Sequence, residues 1–338
     1  MTLDHAVALS FIDGLPRVGL TDRLFCNDPE LLDLAAAGLP RARDLRLAAA
    51  ERQIGVIAWN DPRFPAGLLM MGDCPPALWF RGDLAVFDAP AVAVVGSRAA
   101  SAPALAAASS IGEGLAVHGV AVVSGLARGV DSAAHRGALR RGKTIAVLGS
   151  GVDRIYPVEH HGLASDIAAR GLVLSEFPPG TAPLPFRFPL RNRIISGLSR
   201  AVVVIEASEK SGSLITAGCA LEQGREVMAV PGNVLSGRNS GGHALLRDGA
   251  RLVETADDVL ADLGLAPRAG DVRAATDVKS TNCADPVLGS MDAGQPYDLD
   301  TLAHASGLQA RQLLPHLSEL ELRGLVTRLE GGRFMRSA

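Results

Sequence analysis

Three stretches of the chain gather residue types able to hold a phosphate. The first is Val95-Gly96-Ser97-Arg98, where an apolar run gives way to one glycine, a serine and an arginine. Glycine lets a ligand approach the backbone, the amides after it point outward at a helix start, and a guanidinium grips phosphate as a fork. A tight strand-to-helix turn with Arg98 in solvent explains the same residues, and spacing alone leaves the two readings level. The GxGxxG of a dinucleotide site is absent. The second stretch, Lys210-Ser211-Gly212-Ser213, follows the apolar run Ala201 to Ile205 and opens the next helix with small residues and a cation. It forms a second anion cradle, without the GxxxxGK[ST] order of a P-loop. The third runs from Phe186 to Ser199. Arg187, Arg191 and Arg193 lie within seven residues there, beside Asn192 and interleaved with Phe186 and Phe188. Guanidinium for phosphate and phenyl for base stacking are the parts of a single-strand groove. The other reading puts the phenylalanines in the core and the arginines in surface ion pairs. Pro185 and Pro189 argue against a strand, so a shaped loop is expected.

Other polar residues carry less. Asp131 and His135 are four apart on one helical face and fit a metal pair or an acid–base pair. They fit a capping carboxylate and a packed imidazole as well, and with no third ligand at metal spacing the structural reading is preferred. The same holds for His160 and His161. Cys26, Cys74, Cys219 and Cys283 form no CxxC pair, so neither a zinc ribbon nor a disulfide framework is expected. No metal or cofactor is expected.

The elements that must position these residues follow from periodicity. Six short β-branched runs alternate with helical stretches: 92–95, 120–123, 144–148, 172–174, 201–205 and 226–230. Runs this apolar imply burial on both faces, hence a parallel sheet covered by helices, with the ligand crevice at the strand C-terminal ends. The two cradles and the arginine loop should meet at that edge. Residues 1–70 read as a Leu/Ala-rich helical domain, 71–265 as the α/β core, 266–289 as a Pro/Gly/Asp/Ser/Asn-rich linker and 290–338 as a winged-helix-like unit. The last assignment rests on two helices, 299–306 and 309–323, and a hairpin turning at Gly331-Gly332. Residues 14–19, GLPRVG, weakly resemble a helix-hairpin-helix loop, and a plain structural helical domain is the preferred reading.

The chain has 338 residues, and its 48% hydrophobic and 20% charged content excludes a fully disordered chain, while a formal net charge of -3 argues against general polyanion coating. From Arg187 to Arg251, however, nine Lys and Arg face five acids, a local basic excess. No apolar run reaches the roughly 18 residues of a membrane span, and no signal peptide is read at the N-terminus, so a cytoplasmic location is expected.

Taken in order, the motifs GSR (96–98), SGLARGVDSAAH (124–135), SEFPPG (175–180), FPLRNRIISGLS (188–199), KSGSLITA (210–217) and VPGN (230–233) resemble those of the bacterial DNA-processing protein DprA (Smf) family. The resemblance implies an extended Rossmann-like core that binds single-stranded DNA. It also implies a homodimer that loads RecA onto the strand, works past single-strand-binding protein and protects incoming DNA during natural transformation. No catalysis is implied. The family's DNA contacts would fall on Gly96, Ser97, Arg98, Phe188, Arg191, Asn192, Arg193, Lys210, Ser211, Gly212 and Ser213. In the winged unit, Arg311 and Arg323 are offset by Glu319 and Glu321, which suits docking to protein better than reading a duplex groove. The rival class is a phosphoribohydrolase-type enzyme that cleaves nucleotides on the same cradles with Glu176 or Glu206, although its PGGxGTxxE motif is missing.

Overall fold

The computed structural model describes residues 1–12, 15, 17–265, 285–292, 295–329 and 331–336 of the chain. Nine strands form the main sheet: β1 Gly55–Ala58, β2 Ala77–Gly82, β3 Ala91–Val95, β4 Ala121–Ser124, β5 Thr144–Val147, β6 Leu172–Ser175, β7 Ala201–Val204, β8 Glu226–Ala229 and β9 Arg251–Leu252. Their order is β1-β2-β6-β5-β4-β3-β7-β8-β9. Strands β3 to β9 pair in parallel, while β1 and β2 pair antiparallel at one edge. The fold is an α/β, Rossmann-like sheet, and each of the six β-branched runs overlaps one of its parallel strands.

Strand β3 shows why the runs are apolar without alternation. Ala91, Ala93 and Val95 join one hydrophobic core, and Val92 and Val94 join the other, on the opposite face of the sheet. Side chains alternate faces with period two, and here both faces are dry. Helices Ala102–Val117, Val130–Arg141 and Ala256–Asp262 supply one core. Helices His161–Arg170, Arg187–Gly197 and Gly212–Glu222 supply the other, together with Leu9, Leu20, Leu24 and Leu31 from the N-terminal helices.

Chain direction fixes the crevice. After β3 the chain steps outward through β4, β5 and β6. It then returns to the other side of β3 as β7 and continues to β8 and β9. Loops leaving the C-terminal ends of β3 and β7 therefore diverge, which opens a gap at the switch point.

Three expectations need correction. The N-terminal zone is not helical to residue 70, because Gly55–Ala58 is a strand of the main sheet. The segment after Phe186 is no irregular loop but the helix Arg187–Gly197. Pro189 is tolerated because it lies in the first turn, where an amide has no intrahelical acceptor to lose. Finally, Pro286–Gly289 is a short helix, and Val287 and Leu288 are buried in the C-terminal core, so the linker does not extend to residue 289. Residues 266–284 of that linker, and Asp13, Gly14 and Pro16 of the N-terminal loop, lie outside the described residues.

The C-terminal unit is a winged helix. Helices Leu299–Ser306 and Ala310–Leu322 pack with β10 Pro296–Tyr297, β11 Val326–Arg328 and β12 Phe334–Arg336 around Leu302, Leu313, Leu317, Leu320 and Phe334. Gly307 ends the first helix at φ 72°, the left-handed turn that glycine adopts without strain. No described helix is long and apolar enough to cross a membrane.

Candidate nucleic-acid interface

The gap between the β3 and β7 loops is a cavity of about 590 Å³. Gly96, Ser97 and Arg98 line it from one side and Ser211, Gly212 and Ser213 from the other. The helix Arg187–Gly197 contributes Phe188, Arg191, Asn192 and Ile195. Pro189 lines it too, in the first turn, and the other four are spaced i, i+3, i+4 and i+7, one face of an α-helix. Nine of the eleven expected contact residues therefore converge on one space.

Arg193 does not. One residue in a helix turns the side chain by about 100°, so positions 191 and 193 face opposite ways. Arg193 is buried on the far side, 2.6 Å from Asp73 and 2.8 Å from Glu176. Burial opposes its charge, but Glu176 and Asp73 outweigh burial and hold the guanidinium above its ordinary range. It fastens the helix to the body of the protein. Lys210 is the second exception. It does not line the cavity, but it is exposed at the rim beside Ser211 and pairs with no acid among the described residues.

Arg98 is exposed, forms no ion pair among the described residues, and lies over the Phe188 ring at 5.4 Å from its centroid. Tyr156 meets the same ring at 5.6 Å. Phe188 thus already has two neighbours, and Tyr156, 41% exposed on the cavity wall, adds a second aromatic surface for a base. Arg191 is buried and donates to the carbonyls of Gly125 (2.9 Å) and Val147. Burial lowers its pKa to about 10, with Asp131 opposing the shift and Arg98 adding to it, so it stays charged at neutral pH. Its guanidinium is a fixed positive field beneath the cavity.

The β3 loop is a weaker amide cradle than its sequence promised. The Ser97 amide donates to the Glu206 carbonyl (2.7 Å), the Ala99 amide to Ser97 Oγ (3.2 Å) and the Ser101 amide to Glu206 Oε1 (3.1 Å). Glu206 also accepts from Ser101 Oγ at 2.6 Å, so its carboxylate ties the β7 loop to the β3 loop. The Gly212 side is more open. Gly212 is the first residue of its helix, where an amide has no intrahelical acceptor, and a methyl added there would meet open space. Ser211 Oγ and Ser213 Oγ stand 2.7 Å apart, and Asn192 Nδ2 donates to the Gly212 carbonyl at 3.2 Å.

Asp131 is the one acid lining the cavity among the described residues, and its carboxylate turns inward to the amides of Gly125 (3.0 Å) and Ala127 (3.3 Å). Burial raises its pKa against the pull of Arg191 and those amides. It fastens the β4 loop rather than capping the helix, whose N-cap is Gly129. His135 Nδ1 meets Thr144 Oγ1 at 2.7 Å, and His160 Nδ1 meets the Leu126 carbonyl at 2.8 Å, so both act as packed core histidines. Sequence reading missed Tyr156 and also Arg238, which donates to the Ala99 carbonyl at 2.9 Å and brings a cation from the loop after β8 to the rim. No local motif marks either, because only tertiary packing brings them here.

Compared with known proteins, residues 55–264 match the family model described as DNA recombination-mediator protein A, and residues 271–332 match the DprA winged helix domain. DNA processing protein DprA of Streptococcus pneumoniae is 47% identical over 203 residues, 60% of this chain and 72% of that protein. Protein Smf of Escherichia coli is 40% identical over 278 residues, 80% and 74% of the two chains. Among solved structures, that of the Streptococcus pneumoniae DprA superposes with a TM-score of 0.68 at 37% identity, covering 77% of this chain and 98% of the other. DNA processing protein A from Helicobacter pylori, whose structure is described for its single-stranded DNA binding mode, gives 0.57 at 29% identity, covering 62% and 95%.

Proposed function

Because the chain belongs to the DNA recombination-mediator protein A family, we propose that it holds single-stranded DNA in the switch-point cavity and passes the strand to RecA. The observation that carries this reading is the cavity itself. Unpaired Arg98, the fixed charge of Arg191, the open helix start at Gly212 and the aromatic surfaces of Phe188 and Tyr156 gather at one space, with exposed, unpaired Lys210 next to Ser211 outside its lining. The one acid that lines it among the described residues is turned inward. Phosphates would sit between Arg98 and the Ser211–Ser213 turn, with a base against the aromatic wall. Gly96 and Ser97 would contribute their close backbone rather than free amides, Asn192 would orient the Gly212 carbonyl, and Arg193 would serve only through the helix it anchors.

Strand contacts of this kind tolerate sequence and weaken with salt. The wider role is a cytoplasmic homodimer that works beside single-strand-binding protein and protects DNA taken up in transformation. The winged helix would dock protein: Arg323 is spent on Glu319 at 2.5 Å, which leaves little draw to a duplex. Cleavage of nucleotides is not favoured. Glu206 is held by Ser101 and Glu176 by Arg193, and neither lines the cavity.

Fluorescence anisotropy of oligo-dT against a matched duplex, across a salt series, tests the reading. Wild type should prefer the single strand. Arg98→Ala and Lys210→Ala should each bind more weakly, with a salt slope shallower by about 0.7 for each phosphate left without its cation. Gly212→Ala should fold normally and bind more weakly, since its methyl would enter the space a phosphate needs. Unchanged binding in all three variants would remove the cavity from the path of the strand.

A further inference from the structure

A second depression of about 390 Å³ adjoins the cavity, between the N-terminal turns of helix Ala102–Val117 and the exposed side of helix Val130–Arg141. Arg98 and Ala99 line both spaces. The new one adds Arg136 and Arg140, and no acid lines it among the described residues. Arg136 is exposed and pairs with no acid among those residues. Arg140 is clamped to Glu113 at 2.9 Å, so the carboxylate on that face is neutralised by its own neighbours. The rest of its lining is small or aliphatic, including Ala100, Leu105, Gly129 and Ala133, and the Ser132 hydroxyl donates to the Gly129 carbonyl. With three arginines on its wall and, among the described residues, no aromatic ring on which a base could stack, the depression suits a backbone of repeated phosphates better than a base.

Resting on the single-strand reading above, we infer that the bound strand leaves the cavity past Arg98 and continues into this trough, where Arg136 takes a flanking phosphate. Arg98 is then the pivot between two consecutive subsites. A mononucleotide would not span both, so the trough answers only to a polynucleotide long enough to reach it.

The test is anisotropy with the full chain and labelled oligo-dT lengthened one nucleotide at a time from the trinucleotide, at low salt and through a salt series. Arg136→Ala should match wild type on the shortest strands. It should fall several-fold behind on longer ones, with a salt slope shallower by about 0.7. Arg136→Lys should recover most of the affinity, since a point charge is kept. The substituted side chain is exposed and alanine favours helix, so folding is not at stake. Should Arg136→Ala superimpose on wild type at every length while Arg98→Ala weakens binding, the trough is off the path and the cavity reading stands. Equal weakening at all lengths would mean that Arg136 acts only through the general field, which also overturns a separate subsite. Should Arg98→Ala bind like wild type as well, the cavity reading itself fails and the trough falls with it.

Discussion

Arg98, Arg191 and Arg193 share a side chain and have three different fates. Arg98 waits in solvent over a ring, Arg191 is a buried charge under the cavity, and Arg193 is an internal clamp. Burial and partners decide between them, and a residue type names neither. The same logic makes His135 a source of acid sensitivity. Its imidazole is pressed down to a pKa of about 3, first by burial and then by repulsion from His160, Arg191 and Arg136. The unfolded chain would protonate it near 6.5. Its contribution is therefore complete above about pH 6.5 and erodes as pH falls toward 3, by up to about 1.4 kcal/mol per pH unit. Urea melts at pH 7.5 and pH 5 should show wild type losing stability and His135→Gln losing less. An equal drop in the two proteins would place the acid sensitivity elsewhere.

Among elements, helices Ala102–Val117 and Val130–Arg141 approach so closely that glycines are required on both. A methyl on Gly112 would overlap the Ala134 carbonyl, and one on Gly137 the Ser109 carbonyl. This packing sets the spacing between Ser101, which caps the first helix beside the cavity, and Arg136 on the second. Gly137→Ala should cost about 1–3 kcal/mol through overpacking, read from the denaturation midpoint. An unchanged midpoint would mean that the pair has slack. The helix Arg187–Gly197 shows how an element can be misread from its residues. Two prolines and three arginines point to a loop, yet Phe188, Arg191, Asn192 and Ile195 carry the helical spacing in plain sight. Read at that period, the sequence also separates Arg193 from the others.

For the whole molecule, a net charge of -3 coexists with a basic crevice because acids and bases are sorted in space. Of the arginines between 187 and 251, Arg193 and Arg251 are spent on acids, and only part of the excess reaches the cavity. As a homodimer the protein would sediment at twice its 35.0 kDa chain mass at micromolar concentration; a species that stays at one chain mass would remove the dimer from the reading. The sequence by itself determined the parallel strands, the helix start at Gly212 and the winged unit, because strand burial, helix starts and a Gly-Gly hairpin are local patterns written in neighbouring residues. Only the tertiary structure decided which cations are free, that Glu206 takes the Ser97 and Ser101 amides, and that Tyr156, Arg238 and Arg136 belong to the same basic edge. Those outcomes depend on groups far apart in the chain competing for the same hydrogen bonds and the same water, and nothing in local spacing records who wins.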